Sequence, residues 1–409
     1  MNNKDQLIRI GKKIKLHLIK RLKNYLYLQF KYGVFSGRLI SFNDLDSETD
    51  ILYSRKTALW YSPPFFVWED PLGLLQGLEY IQYAVRLKNV ALLGDSNLIV
   101  FPSGNVLYDL PFYDAENRYL YTDYKIIELK NGKVSYWKGR KRMIDKAVWM
   151  GGNYAWNYYH FLYEFVIKFG KLNELQIPTD VPVLVSQKCL DIPQFKELLD
   201  IVNEKGYPLI GVDRDEYYEA GELYFINCPN FIPPNNRDDN DGRPSDVQYD
   251  KDALDDLRRY LLPYASPKTF AKRVFLSRKT ASGRRRFNEE ELMRLCAEFG
   301  FEEVIADELS FREQISLFSQ AEWIIGGSGA AFTNLLFCNI RNKIIILSKT
   351  KNPSVVFSTV ATVVGADVRY FMEEVPGVKV RTNTLHDPFT INVANFRKYL
   401  IDNGIDKHI

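Results

Sequence analysis

The sequence predicts an α/β protein organised around parallel strands. Two stretches carry this reading. From Ala147, and again from Arg273, short apolar runs of strand length alternate with segments of helical period. A third observation is the glycine-rich run Gly326-Gly327-Ser328-Gly329, which follows directly on the apolar Trp323-Ile324-Ile325. The chain has 409 residues, of which 46% are hydrophobic, 14% aromatic and 26% charged. That composition excludes disordered, collagen-like and coiled-coil classes. At about 100–200 residues per domain, the length suggests two core-bearing domains.

Other classes fall away on charge and cysteine usage. The net charge is +3, from 54 Lys and Arg against 51 Asp and Glu, so this is not a bulk nucleic-acid binder. Cys189, Cys228, Cys296 and Cys338 lie far apart with no Cys-x-x-Cys pair. A disulfide framework or zinc site is therefore not expected, and a reducing cytosol is the simplest setting. No run reaches the roughly 18–20 apolar residues of a membrane span, and the first 23 residues lack a secretory apolar core.

The elements read as follows. Leu7, Ile10, Ile14, Leu18, Leu22 and Tyr25 recur at steps of three and four, while Lys4, Arg9, Lys12, Lys13, Lys15, Lys20, Arg21 and Lys23 face one acid, Asp5. Such a basic amphipathic helix either lies on an anionic membrane surface or packs on its own domain with a solvated basic face. Trp60-Tyr61-Ser62-Pro63-Pro64 reads as a loop. Asn89–Leu93 and Leu98–Phe101 read as strands, with a turn at Ser103-Gly104-Asn105. Asn131-Gly132, between Lys125–Leu129 and Val134–Trp137, is the strongest hairpin signal in the chain. Next come strand Ala147–Met150, helix Tyr154–Leu172 and strand Val183–Val185. The polar, Pro/Gly-rich Phe231–Asp246 marks an inter-domain region that continues through helix Asp250–Leu262. A second unit runs strand Arg273–Ser277, helix Asn288–Glu298, strand Glu303–Ile305, helix Phe311–Ala321, strand Trp323–Ile325, helix Ala330–Phe337 and strand Lys343–Leu347. Helical crossovers of this kind imply a parallel sheet.

Three features carry candidate chemistry. The glycine loop opens a helix at the mouth of a sheet, where free N–H groups and close backbone approach suit a phosphate; a plain tight turn is the alternative. Phe332 stands where a dinucleotide fingerprint wants its third glycine, Leu347-Ser348-Lys349 supplies no ribose-binding acid, and no P-loop lysine is present, so NAD and ATP are disfavoured. Arg273–Lys279 is a strand ending in basic residues, followed by Arg284-Arg285-Arg286. Arg278 with Arg285 or Arg286 would meet the glycine loop on one diphosphate, unless the run is a solvated basic loop. Asn157, His160 and Glu164 are spaced three and four apart, which puts them on one helix face. A carboxylate beside a histidine can hold one tautomer and make a better base; the other reading is a polar group satisfied in the core.

These residues resemble glycosyltransferase family 61, of the bacterial surface-polysaccharide type. The Asn-x-x-His helix with a following acid is matched by Asn157, His160 and Glu164. A Ser-Arg segment with further arginines and Asn-Glu is matched by Ser277, Arg278, Arg285, Asn288 and Glu289. Leu309, Ser310, Phe311, Glu313 and Gln314 match a Leu-Ser-Phe-x-Glu-Gln stretch, and Gly326, Gly329, Ala330, Thr333 and Asn334 match the glycine loop. The resemblance covers about residues 150–350. It implies a GT-B architecture of two Rossmann-like domains facing across a cleft, and inverting transfer from a nucleotide-sugar, most often a UDP-sugar, without an obligatory metal or other cofactor. It assigns donor contacts to Ser277, Arg278, Arg285, Gly327, Ser328, Gly329, Ala330, Thr333 and Asn334, and the catalytic face to His160, Glu164 and Asn157. One departure is that Gly327 and Ser328 stand where the family commonly has Pro and His.

The expected organisation is a basic helix over 1–30, an acceptor-side α/β domain over 31–250, a nucleotide-sugar-binding domain over 251–375, and a tail over 376–409 returning to the N-terminal domain. Asp213-Arg214-Asp215 has the Asp-x-Asp form of metal-dependent transferases but sits in an acidic run, and the Asp238–Asp241 cluster misses EF-hand spacing because Arg237 falls at the first ligand position. Both read as solvated loops, and no metal is expected. The expected partners are a nucleotide-sugar donor and a glycan or lipid-linked acceptor of capsule or lipopolysaccharide assembly, with no nucleic acid. The expected location is the cytoplasm, with peripheral membrane contact through residues 1–23. A non-catalytic nucleotide-sugar or polyanion-binding module is the alternative, with Ser328 its main support.

Overall fold

The computed structural model describes residues 23, 25–46, 49–67, 69–70, 72–108, 123–233, 243–280, 286–349, 356–372 and 388–405. The basic helix over residues 1–22, Arg285 and the Asp238–Asp241 cluster lie outside the described residues.

The N-terminal half forms one eleven-stranded sheet. Its strands are β1 (Phe35–Ile40), β2 (Asp50–Tyr61), β3 (Leu75–Leu93), β4 (Leu98–Val100), β5 (Val106–Tyr108), β6 (Ile126–Lys130), β7 (Lys133–Tyr136), β8 (Arg140–Trp149), β9 (Val183–Ser186), β10 (Leu209–Val212) and β11 (Glu216–Ile226). Their spatial order is β10-β9-β8-β11-β3-β4-β5-β1-β7-β6, with β2 paired to β3. The β8–β9–β10 set and β11 run parallel, as the strand–helix–strand reading from Ala147 requires. The 19-residue β3, however, is antiparallel to β2, β4 and β11. The sheet is therefore mixed and differs from the parallel Rossmann sheet expected here. Both faces of β3 are covered, Ala91 and Leu93 packing in one core and Val90 and Leu92 in another. Asn131 and Gly132 both take positive φ (52° and 70°) and join β6 to β7, as the hairpin signal implied.

The C-terminal half holds a five-stranded, fully parallel sheet: β12 (Arg273–Leu276), β13 (Glu302–Val304), β14 (Trp323–Gly327), β15 (Lys343–Leu347) and β16 (Asp367–Phe371), in the order β13-β12-β14-β15-β16. That is a doubly wound order, and its direction reverses between β12 and β14. Open sheets of this kind bind ligands at that switch point, beyond the carboxyl ends of the strands. Helix Val356–Val364 and β16 extend the unit past the last strand read from sequence. The C-terminal helix Val393–Asp402 does not return to the N-terminal half. Phe396 and Leu400 pack with Phe275, Leu292 and Phe371, and Arg397 pairs with Glu298 at 2.7 Å.

The halves share one core, in which Val148, Phe161 and Leu172 join Val274, Leu309, Leu335 and Ile344. The segment after β2 crosses over and lies along β16: Val67 N donates to the Tyr370 carbonyl (3.1 Å) and Tyr370 N to the Phe65 carbonyl (2.7 Å). All four cysteines are free and buried. Among the described residues, no helix is long and apolar enough to cross a membrane.

Candidate active site

The switch point of the small sheet is lined by the features that the sequence singled out. Ser277 and Arg278 extend β12, the glycine loop extends β14, and Leu276 registers with Gly326. The Arg278 guanidinium donates to the Ser328 carbonyl through Nη1, and its backbone N–H donates to the Glu289 carboxylate. A Cβ on Gly329 would stand 2.0 Å from Arg278 Nη1; one on Gly327 would stand 2.6 Å from Phe287 and 3.2 Å from Arg278 Cδ. Two glycines are thus required for the arginine to lie against the loop. Burial lowers the Arg278 pKa, opposed by Glu289 and Asp307; an arginine in this setting stays charged. Ala330 is exposed and Ser328 half-buried, while Gly326, Gly327 and Gly329 are buried. Ala330–Phe337 is a 3₁₀ helix rather than the α-helix expected, with i→i+3 bonds from Phe332 N to Gly329 O and Cys338 N to Leu335 O.

Thr333 and Asn334, expected as donor contacts, are completely buried behind the loop. Asn334 Oδ1 accepts from the Tyr158 hydroxyl (2.6 Å) and its Nδ2 donates to Gln314 Oε1 (2.7 Å). The Thr333 carbonyl accepts from Tyr163 OH (2.7 Å). These bonds seat the segment behind the glycine loop on the helix that carries His160. Ser277 is buried too, its Oγ accepting from Lys279 N at 3.4 Å, which makes it a turn residue.

On that helix, Asn157 is the N-cap, its Oδ1 accepting from Tyr159 N at 3.0 Å. It stands outside the helical face assigned to it, because an N-cap has extended rather than helical dihedrals (φ −90°, ψ 126°). The next turn, Phe161–Val166, is a π-helix, a local form frequent at functional sites. His160 Nδ1 and Glu164 Oε1 are hydrogen-bonded. Glu164 is 4% exposed, while the histidine side chain keeps 20%. With the carboxylate ionised, Nδ1 carries the proton and Nε2 is left as an acceptor. Tyr154 and Tyr159 flank the imidazole at 5.3 Å and 5.2 Å between ring centroids. Tyr154 takes φ +60°, a strained conformation for an aromatic residue and one that recurs at functional sites. Trp156 stands half-exposed beside it. Tyr154, Tyr158 and Tyr163 were not singled out in the sequence. Their only signal was an aromatic-rich helix, which reads equally as core.

Asp213 lies 3.8 Å from Arg140, and Asp215 accepts from Tyr124 OH at 3.1 Å. Among the described residues, no three metal-ligating side chains cluster.

No curated protein matches the chain. Residues 158–345, from the turn carrying His160 to the third residue of β15, match the family model described as Glycosyltransferase 61. His160, Glu164, Arg278 and the whole glycine loop fall inside that match, and Asn157 lies one residue before it. Over residues 158–345 the chain is similar to the glycosyltransferase 61 family.

Proposed function

We propose that this protein is an inverting, metal-independent glycosyltransferase that uses a nucleotide-sugar donor, most simply a UDP-sugar. One observation carries the reading. The helix holding the His160–Glu164 pair is hydrogen-bonded, through Tyr158 and Tyr163, to the segment that continues the glycine loop on which Arg278 rests. In this reading the proposed base and the proposed anion site sit on hydrogen-bonded elements. In the proposed reaction the donor diphosphate meets Arg278 and the loop at Ser328–Ala330. His160 Nε2 takes the proton of an acceptor hydroxyl as its oxygen attacks the anomeric carbon, and the bond from that carbon to the diphosphate oxygen breaks on the opposite face. The nucleoside diphosphate leaves, and its charge is stabilised by the guanidinium and helix N–H groups. Glu164 holds the imidazole and the positive charge that forms on it.

The acceptor is a glycan or lipid-linked glycan of capsule or lipopolysaccharide assembly, met from the cytoplasmic side, with residues 1–23 resting on anionic lipid. The organisation into a 31–250 acceptor side and a 251–375 donor side goes with this reading, as does assembly of a GT-B type. The test is release of nucleoside diphosphate from a panel of UDP-sugars, with and without acceptor and with EDTA. Turnover that survives EDTA is expected. Loss with EDTA and recovery with manganese would overturn the metal-independent chemistry. Ser328 in place of the family's common histidine favours a second reading, a non-catalytic nucleotide-sugar-binding module; binding without turnover across the panel would establish it.

A further inference from the structure

Residues 25–32 form a helix that meets the rest of the protein through Leu28 and Tyr32. Leu28 is 8% exposed, and Tyr32 stacks on Trp137 with 5.0 Å between ring centroids. The apolar stripe read from the sequence as far as Tyr25 reaches these two residues by the same steps of three and four. Within the described residues, that stripe therefore turns inward. Leu26 and Phe30 each stand two residues from Leu28, about 200° round the helix, and Tyr27 adjoins them. Leu26 is 56%, Tyr27 54% and Phe30 95% exposed. No other large apolar side chain among the described residues is as open to water as Phe30. Single exposed apolar residues are ordinary, but three together on the outer side of one helix mark a contact surface.

Charge says what the surface meets. Lys23 and Lys31 are exposed beside it, and Lys31 Nζ donates to the Tyr27 hydroxyl at 2.8 Å. Between Asp5 and Asp44 the sequence has nine Lys and Arg and no acid. A two-fold contact with a second copy would set these lysines against each other with no carboxylate between them, so the face is not self-complementary. Among the described residues no helix is long and apolar enough to cross a membrane. An apolar helix face bordered by lysines suits the interface of an anionic bilayer, where tyrosine is also at home because its ring is apolar and its hydroxyl polar.

We infer that Leu26, Tyr27 and Phe30 insert into the surface of an anionic bilayer, with Lys23 and Lys31 against its phosphates. The inference rests on the proposed contact of the N-terminal segment with anionic lipid, and adds to that charge attraction an apolar anchor on the side of the helix opposite Leu28.

The test is co-sedimentation of the full chain with vesicles of equal parts phosphatidylglycerol and phosphatidylethanolamine. Leu26→Ser combined with Phe30→Ser should weaken binding at least tenfold, with the melting temperature unchanged because both side chains are exposed. Met143→Ser, at a site 69% exposed on β8, should leave binding unchanged. Phe30→Trp should show emission that is quenched by lipid brominated in its acyl chains. Binding within twofold of the unaltered protein in the double serine variant, or no quenching of Phe30→Trp, would overturn the inference. So would a dimer in light scattering that dissociates in the serine variant, since the face would then belong to a second copy. Loss of binding on deleting residues 1–23, with the serine variant unchanged, would leave the proposed lipid contact standing and overturn only this anchor. No vesicle binding by the unaltered protein would overturn both.

Discussion

His160→Ala removes the imidazole held by the buried Glu164, and with it the group proposed to accept the acceptor's proton. The expected outcome is a transfer rate lowered by about 10²–10⁴-fold with donor affinity unchanged within about twofold. Glu164→Gln, which keeps the shape but not the charge, should cost less; steady-state kinetics with direct measurement of UDP affinity separates the two. If Glu164→Gln costs more, the carboxylate is the base. A second residue-scale prediction concerns Lys125, which is fully buried beside Trp137, its Nζ donating to the Lys138 carbonyl at 2.9 Å. Burial lowers its pKa from 10.5 to about 7, against the raising effect of Asp215, Asp123 and Asp95. Between those two values the unfolded chain binds more protons than the folded one, so stability rises with pH across that window and the gain is absent below it. Denaturation at pH 7 and pH 9 should show the unaltered protein gaining up to about 2 kcal/mol relative to Lys125→Met, which lacks the titrating group. Equal pH dependence in both would remove Lys125 as the cause. At this scale sequence reading was uneven. His160 and Glu164 could be paired from spacing alone, because four residues make about one helical turn; the complete burial of Thr333 and Asn334 was not legible, because a motif position carries no information on burial.

Tyr158 and Tyr163 join two elements that are far apart in the chain, and this contact belongs to the helix rather than to either side chain. Tyr158→Phe leaves Asn334 Oδ1 buried without its donor, at an expected cost of about 1–3 kcal/mol in chemical denaturation. Because the lost bond also positions the segment behind the glycine loop, UDP affinity should fall with it. Unchanged affinity in a destabilised variant would show that the brace supports stability only. The elements themselves were largely legible. Strands β12, β14 and β15 and the helices between them follow from apolar runs of the right length, and Ser310 with Glu313 forms the capping box that starts helix Phe311–Gln320. The π-turn at Phe161–Val166 and the strained Tyr154 were not legible, since both are imposed by what the helix packs against.

The two halves are interlocked at the scale of the whole molecule. Ser62 N donates to Thr359 Oγ1 (2.9 Å), the Phe65–Val67 segment pairs with Tyr370, and one apolar core runs through both sheets. Calorimetry should therefore show a single unfolding transition; two resolved transitions would mean that the shared core contributes little. Saturating UDP should raise that transition by mass action, by about 2.7 kcal/mol of stability at a hundredfold excess over Kd. Deleting residues 1–23 should leave this shift intact while reducing association with anionic vesicles, an association that should itself weaken with salt. Salt-insensitive vesicle binding, or none, would return the basic segment to a solvated face.

Sequence alone determined the parallel C-terminal unit, its glycine loop and arginine, the hairpin at Asn131-Gly132 and the pairing of His160 with Glu164, all of which depend on local period, turn chemistry or spacing within one element. The tertiary structure decided what depends on neighbours remote in sequence. It made the N-terminal sheet mixed, placed the C-terminal helix on the small sheet, and buried Thr333 and Asn334 under two tyrosines. Burial and strand partnership are properties of the assembled core, and a linear pattern of apolar and polar residues does not say which distant surface will cover it.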